Sequence, residues 1–528
     1  MLRVHLVGPR SGTPLWRAAA DAPWESAGCI LTDGPADVHL LVAEGPITPA
    51  DQQAVLDQAR ADGALLVLAG PTVRHVADGP LDRMGFADAA QPPAHPIRLN
   101  PVALDWPRGQ VEIVDTFPLA ACDGRAWVTA SVAYADYAVI CQHAPGDIVT
   151  VGVGNAVDTW ADVRFLQLLR QALVAAAGVE SPPDVRVGLL GFGAIGAEHA
   201  AAIDAVGGLR LVAVCDGNQA RLSIAQEQSP HAKLTTSADE LLNDPDIDLI
   251  VVSTPPSTHA EWALRALDAG KHVVLEKPMA LTATECDAVL ARAESRGLTA
   301  LVYQNRRFDP DFRTLVDLSP QLGEIFHVEA FIGGHVHPCS YWHSEVTVSG
   351  GALFDWGSHV VDQLLQLMPG DIQYVTALNH KRLWHDVTNA DHSRMTVVFD
   401  GGREATFIYS DLAAALKPRW YVLGTAGAVV GDWRYERIIG RTAVGTLAED
   451  ALAPADSPPL MRFVAPDGSV TSLTPPPFEG FPFHADLSMW IRWGIPPRVL
   501  GAESRRVVSV LQAAEESAAL GGLPVKPS

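Results

Sequence analysis

Lysine, basic charge and long apolar runs are all scarce in this chain. Six of the 528 residues are lysine: Lys233, Lys271, Lys277, Lys381, Lys417 and Lys526. Lys plus Arg total 38 against 61 for Asp plus Glu, giving a net charge of −23. So acidic a chain is repelled by nucleic-acid backbones and anionic lipid, which removes both as expected partners. No stretch approaches the about 18 apolar residues that a membrane span needs. The opening MLRVHLVGPRSG reads as a first strand rather than a signal peptide. Cysteine is sparse too: Cys29, Cys122, Cys141, Cys215, Cys286 and Cys339 are scattered with no C-x-x-C pair. That argues against a disulfide framework and predicts free thiols in a reducing compartment, so a cytoplasmic protein is expected.

Apolar residues make up 48%, and the length implies several cores. Residues 1–180 mix short apolar strands (38–42, 64–69, 148–153) with helical stretches (50–62, 159–177), as in a separate α/β domain. Ser181-Pro182-Pro183 has a linker's composition. In 184–303, strands alternate with helices, the pattern of a doubly wound parallel sheet. From 304 to 528, strands at 325–332, 374–377, 395–399, 405–410 and 420–424 alternate apolar with polar residues. They predict an α+β domain with a large, mainly antiparallel sheet covered on one face. The open face predicts pairing between subunits, as a homodimer or homotetramer. The Pro-rich stretch 452–477 reads as an exposed loop.

The strand at 185–190 runs into Gly191-Phe192-Gly193-Ala194-Ile195-Gly196, which opens a helix. Gly191 permits a tight turn, Gly193 lets a pyrophosphate approach the backbone, and Gly196 lets helix and strand pack closely. Asp216 ends the next strand, 20 residues after Gly196. There a carboxylate accepts from the ribose hydroxyls and opposes a 2′-phosphate, favouring NAD over NADP. Arg221, just beyond, weakens that preference; as a plain helix N-cap, Asp216 would have no cofactor role at all.

Further on come Ser253-Thr254-Pro255-Pro256-Ser257-Thr258-His259 and Glu276-Lys277-Pro278, each after a strand. Then comes Gly350-Gly351-Ala352-Leu353-Phe354-Asp355-Trp356-Gly357-Ser358-His359. In this order the segments resemble the glucose–fructose oxidoreductase, inositol dehydrogenase and MocA (Gfo/Idh/MocA) family, from about residue 184 onward. The resemblance implies a Rossmann domain followed by a substrate domain. It implies Lys277, Asp355 and His359 as catalytic residues. Thr254, Pro255, His259, Glu276 and Lys277 join the glycine turn at the cofactor. Tyr341, Trp342 and His343 join His359 at the substrate, and so do Asn305 and Arg306 of the segment Gln304-Asn305-Arg306-Arg307-Phe308, for which a domain-tethering role stands equally open. Ala352 stands where the family usually has a third glycine.

The residue types suit alcohol chemistry. Asp355 and His359 are four apart on an expected helix and share a face. A carboxylate beside an imidazole orients it and raises its basicity, and histidine moves protons near neutral pH. An ammonium at a strand's C-terminal end can hold a reacting oxygen. Asp391 and His392 are weaker pocket candidates. His335, His337 and Cys339 would line one face of a strand, but Pro338 interrupts them and the spacing is not a common zinc pattern, so no metal is expected.

The strand 148–153, then 155–160 and a helix with Phe165, Leu166 and Leu169, resembles the close of ThuA-like domains of the class I amidotransferase-like, flavodoxin-like α/β fold. Ala69-Gly70 stands where an amidotransferase has its cysteine, so glutaminase activity is not expected. Together the expectations are an NAD-dependent oxidoreductase acting on a small-molecule carbohydrate. The alternatives are a redox-neutral glycoside hydrolase or lyase on the same fold, and a non-catalytic nucleotide-binding regulator.

Overall fold

A computed structural model describes residues 2–7, 14–24, 29–32, 36–43, 47–70, 72, 81, 94–101, 104, 111–116, 124–132, 135–143, 146–178, 182–339, 341–433, 435–442, 445–452, 460–476 and 480–528. Ser181 of the expected linker and 453–459 and Pro477 of the Pro-rich stretch lie outside them. The chain divides into two compact units: Met1–Val185 with Ala205–Leu209 and His484–Pro497, and the remainder.

The first unit holds a nine-stranded sheet. Cys29–Leu31, Leu2–Val7, Val38–Val42, Leu65–Ala69 and Ile148–Val151 run parallel. The sheet continues antiparallel through Ala135–His143, Arg125–Val132, His95–Pro101 and Val111–Asp115. Two all-buried strands, Val38–Val42 and Leu65–Ala69, carry the unbroken apolar runs expected of a sheet covered on both faces. Asp162 caps the helix Val163–Ala176 by accepting from the Arg164 N–H at 2.8 Å, which splits the expected helix 159–177 in two. Gly70 has φ +59°, and a Cβ there would lie 2.5 Å from the Gly154 carbonyl oxygen. No nucleophilic side chain fits at that strand end. The expectation of free thiols fails at Cys141, which is disulfide-bonded.

In the second unit a six-stranded sheet has the order Lys233–Thr235, Leu209–Cys215, Val185–Leu190, Leu249–Val252, His272–Leu275, Ala300–Val302. The strand order reverses between Val185–Leu190 and Leu249–Val252, and clefts form outside the strand ends at such a switch point. An eight-stranded sheet follows, from Ile372–His380 at one edge to Val470–Leu473 at the other. It is mixed: Ile325–Gly333 pairs parallel with Glu404–Ser410 and antiparallel with Trp420–Gly424. The stretch expected as a loop contains an edge hairpin, Leu460–Val464 with Val470–Leu473. Edge strands tolerate the exposed polar residues that make such a segment look unstructured. The helices Ala352–Leu367 and Gly501–Ala519 bury their apolar faces in the core shared with this sheet.

Candidate functional site

Gly191 closes the first strand of the parallel sheet with φ +97°, and a Cβ on it would stand 2.7 Å from the Ser253 carbonyl oxygen. A Cβ on Gly196 would stand 2.5 Å from the Gly191 oxygen. Above Gly193, by contrast, no atom lies within 4 Å of the Cβ position. That opening faces the start of helix Ala194–Ala205, where unpaired N–H groups and the helix dipole suit an anion. The room and the donors fit the pyrophosphate of a dinucleotide. Gly191→Ala combines a left-handed backbone with a backbone clash, and is expected to abolish dinucleotide binding; retained affinity in titration calorimetry would refute the turn's role.

Asp216 is pinned at the next strand end. Its Oδ2 accepts the Phe192 N–H at 2.7 Å and its Oδ1 the Asn218 N–H at 2.8 Å, while Arg221 Nη1 lies 3.4 Å from Oδ2. The carboxylate therefore shapes the glycine turn as well as facing the cleft. Phe192 takes part through its N–H, since its side chain is in the core. His259 departs from its expected cofactor contact. It is fully buried, with Nδ1 2.8 Å from the Pro278 oxygen and Nε2 2.8 Å from the Thr254 oxygen. It ties the loop after Leu249–Val252 to the loop carrying Lys277, and its ring stays out of the cleft.

A cleft of about 1290 Å³ runs from Gly191 and Asp216, past Thr254, Pro255 and Glu276, to Lys277, Asp355 and His359. It exceeds the roughly 300–1,000 Å³ usual for one ligand, so it accommodates a dinucleotide with a second molecule. Asn305, Arg306, Tyr341, Trp342 and His343 line its far part. Lys277 Nζ donates to Asp355 Oδ1 at 2.8 Å and to the Asp355 carbonyl at 3.2 Å. Burial alone would raise the Asp355 carboxyl, but the Lys277 ammonium and His343 hold it below the usual carboxylate range. The expected support of His359 by Asp355 is absent. The two share a helix face, yet the carboxylate turns to the ammonium, whose full charge outcompetes a neutral imidazole. His359 Nδ1 is buried with no partner. Burial, then the positive charges of Lys277, Arg306 and Arg419, push the His359 pKa well below its usual value, so the ring is neutral.

This has a consequence for stability. A histidine with a lowered folded pKa binds fewer protons folded than unfolded, so stability falls as pH drops below the unfolded value of about 6.5. Burial acts on His259 and His359 in this sense. His359→Asn should flatten the loss of stability between pH 6.5 and 5 by up to about 1.4 kcal/mol per pH unit, the most a single proton can contribute. Urea titrations at several pH values check it; an unchanged slope would contradict a neutral buried ring.

Sequence reasoning missed several lining residues. The Trp356 ring is 6.1 Å from that of His359, and the Arg306 guanidinium is 5.7 Å from it. Its position, directly after Asp355, was the available signal. Tyr303 donates to Glu198 at 2.8 Å, and Trp262 with Arg265 stacked on it at 4.4 Å lines the cleft on the Asp216 side. His343 stacks on Trp342 at 3.6 Å, and its Nδ1 and Asn305 Oδ1 are buried without partners. Other candidates lie elsewhere. Asp391 is wholly buried and accepts from Lys381 and the N–H groups of Arg382, Leu383 and Trp384. Burial opposes its ionisation, but Lys381 and those N–H donors bring its pKa down to about 2. It is a loop anchor. His392 rests against His380, and His337 pairs with Asp386 at 2.9 Å beside Trp384. Among the described residues, no three His, Cys, Asp or Glu side chains are placed to hold a metal, and no helix is long and apolar enough to cross a membrane.

Comparison with known proteins agrees with this architecture. Residues 185–304 match the family described as "Oxidoreductase family, NAD-binding Rossmann fold", and 313–430 match the GFO/IDH/MocA C-terminal domain. The oxidoreductase YdgJ of Escherichia coli K12 is 31% identical over 47% of this chain and 71% of its own length. The chain belongs to the GFO/IDH/MocA oxidoreductase family. Another relative, YhhX of Escherichia coli K12, is 35% identical over 39% of this chain and 59% of its own length. IolW of Bacillus subtilis, named scyllo-inositol 2-dehydrogenase (NADP+), is 27% identical over 63% of this chain and 93% of its length. Among solved structures, aldose–aldose oxidoreductase from Caulobacter crescentus shares the fold at 23% identity, covering 65% of this chain and 99% of its own, with TM-score 0.54. These GFO/IDH/MocA matches leave residues 1–184 outside the two family domains.

Proposed function

We propose that this GFO/IDH/MocA protein is an NAD-dependent oxidoreductase acting on a hydroxyl of a sugar, polyol or glycoside. The observation that carries the reading is that Lys277, paired with Asp355, and the neutral ring of His359 line one cleft with the Gly191–Gly196 turn. A bound nicotinamide supplies the hydride acceptor for alcohol oxidation. Lys277 holds the reacting oxygen and stabilises its developing negative charge, and Lys277 and His359 manage its proton between them. The apolar faces of Tyr341, Trp342 and Trp356 suit a sugar ring, and the unpartnered polar atoms of Asn305 and His343 suit its hydroxyls. IolW's name supports a polyol substrate.

Asp216 favours NAD, because its charge opposes a 2′-phosphate. Asp216→Ala should cut the NAD:NADP preference at least tenfold, leaving Arg221 to attract the phosphate. An unchanged ratio of kcat/KM values for the two cofactors would remove Asp216 from specificity. The function itself is tested by screening sugars, polyols and glycosides with NAD, following NADH absorbance and glycosidic cleavage separately. NADH formation with a polyhydroxylated substrate is expected. Cleavage without net NADH would instead mean a redox-neutral reaction.

A further inference from the structure

His359 lines two spaces. One is the large cleft; the other is a small cavity of about 10 Å³, which Arg306, Gln363 and Arg419 also line. That volume is about one water molecule's worth, and an internal water also needs two or more polar partners. They are present. His359 Nδ1 and Arg306 Nε are buried without a hydrogen bond, and so is Arg419 Nε, which lies 3.0 Å from Asp311 Oδ2 without pointing its N–H at it. The remaining walls, including Ala330, Val360 and Trp420, are apolar.

We infer that this cavity holds a single buried water that bridges the arginine Nε–H groups to His359 Nδ1 and fixes the imidazole proton on Nε2. Hydrogen-bond arithmetic sets the direction. Each guanidinium Nε–H can only donate, so the two of them occupy both lone pairs of the water oxygen. The water must then donate to the ring, which requires Nδ1 to be the bare nitrogen. The guanidinium charges act the same way, favouring the ring's lone pair toward them. Nε2–H therefore faces the cleft, and His359 meets the reacting oxygen as a neutral hydrogen-bond donor. Arg419, which does not line the main cleft, is a positioning residue acting through the water. This rests on the proposed alcohol chemistry only for its consequence; the water and the tautomer stand without it.

The test uses the full chain with NAD. Nitrogen-15 NMR of histidine-labelled protein distinguishes the two neutral tautomers, and the His359 signal is assigned by its loss in His359→Asn. The Nε2–H form is expected at neutral pH, and an Nδ1–H form overturns the proposal. High-resolution diffraction from crystals soaked in bromide should show one water peak in the small cavity; an empty cavity or an anomalous bromide peak overturns it. Arg419→Lys should populate both tautomers and lower kcat about 10-fold with KM little changed, while a pure Nε2–H signal in this variant removes Arg419 from the role. If no substrate yields NADH yet the water and tautomer are as expected, the proposed activity fails and this inference remains.

Discussion

Lys277→Met is expected to lower kcat/KM by about 10³-fold, within the roughly 10²–10⁴ range for losing a group that stabilises charge or moves a proton at the reacting atom. Dinucleotide affinity should change little, because the proposed reading gives the pyrophosphate and ribose to the glycine turn and Asp216 rather than to Lys277. Part of the loss would arise through Asp355. That carboxyl owes its depressed pKa to the ammonium 2.8 Å away. Without it, burial dominates and Asp355 takes up a proton at higher pH, so the activity left in the variant should show a displaced acid limb. Steady-state kinetics across pH, with cofactor binding measured separately by fluorescence, tests both parts. A fall of less than tenfold would mean that Lys277 is a structural partner of Asp355 and no more.

The largest effect on stability is expected from Arg307→Met, at about 3–5 kcal/mol. Arg307 is nearly inaccessible and grips Asp362 with Nε and Nη2, both at 2.6 Å. Its Nη1 reaches Glu503 at 2.7 Å and the Arg498 carbonyl at 2.8 Å. Burial already raises the Asp362 carboxyl despite this guanidinium, so removing the arginine leaves a buried acid with no counterion. Breaking one side of such a pair costs more than replacing both. The double variant Arg307→Met/Asp362→Leu should therefore recover much of the loss in denaturant titrations. A double variant as unstable as the single one would refute this account. Because Asp362 lies on the helix Ala352–Leu367 that also carries Asp355 and His359, the single variant should lose activity before it unfolds globally.

The segment Gln304–Phe308 shows where legibility ended. Its sequence left substrate contact and tethering open together. In the structure the two adjacent arginines face different ways: Arg306 lines the cleft, and Arg307 binds the helix bearing the candidate catalytic pair. Nothing local distinguishes two neighbouring arginines, since the difference lies in what each faces across the fold. The edge hairpin at 460–473 escaped for a related reason. Pro458 and Pro459 before it, Pro466 in its turn and Pro475 after it make the segment read as a loop although Leu460–Val464 is mostly apolar, and only pairing with Gly427–Asp432 makes it a strand.

The sequence by itself determined the parallel sheet, the glycine turn with Asp216 at the neighbouring strand end, and the identity of Lys277, Asp355 and His359. The sheet and the turn follow from local periodicity and from residue types that a tight turn or a strand end requires; Lys277, Asp355 and His359 are singled out by the resemblance of their motifs to those of the family. Tertiary structure alone decided the pairing among them. Helical spacing put Asp355 and His359 on one face, but the ammonium of Lys277, 78 residues earlier, claimed the carboxylate. His359 was left to a cavity shared with two arginines. Spacing can show which side chains are able to meet along one helix. It cannot show which more strongly charged partner the fold will bring from elsewhere, and in a half-buried site the stronger charge wins.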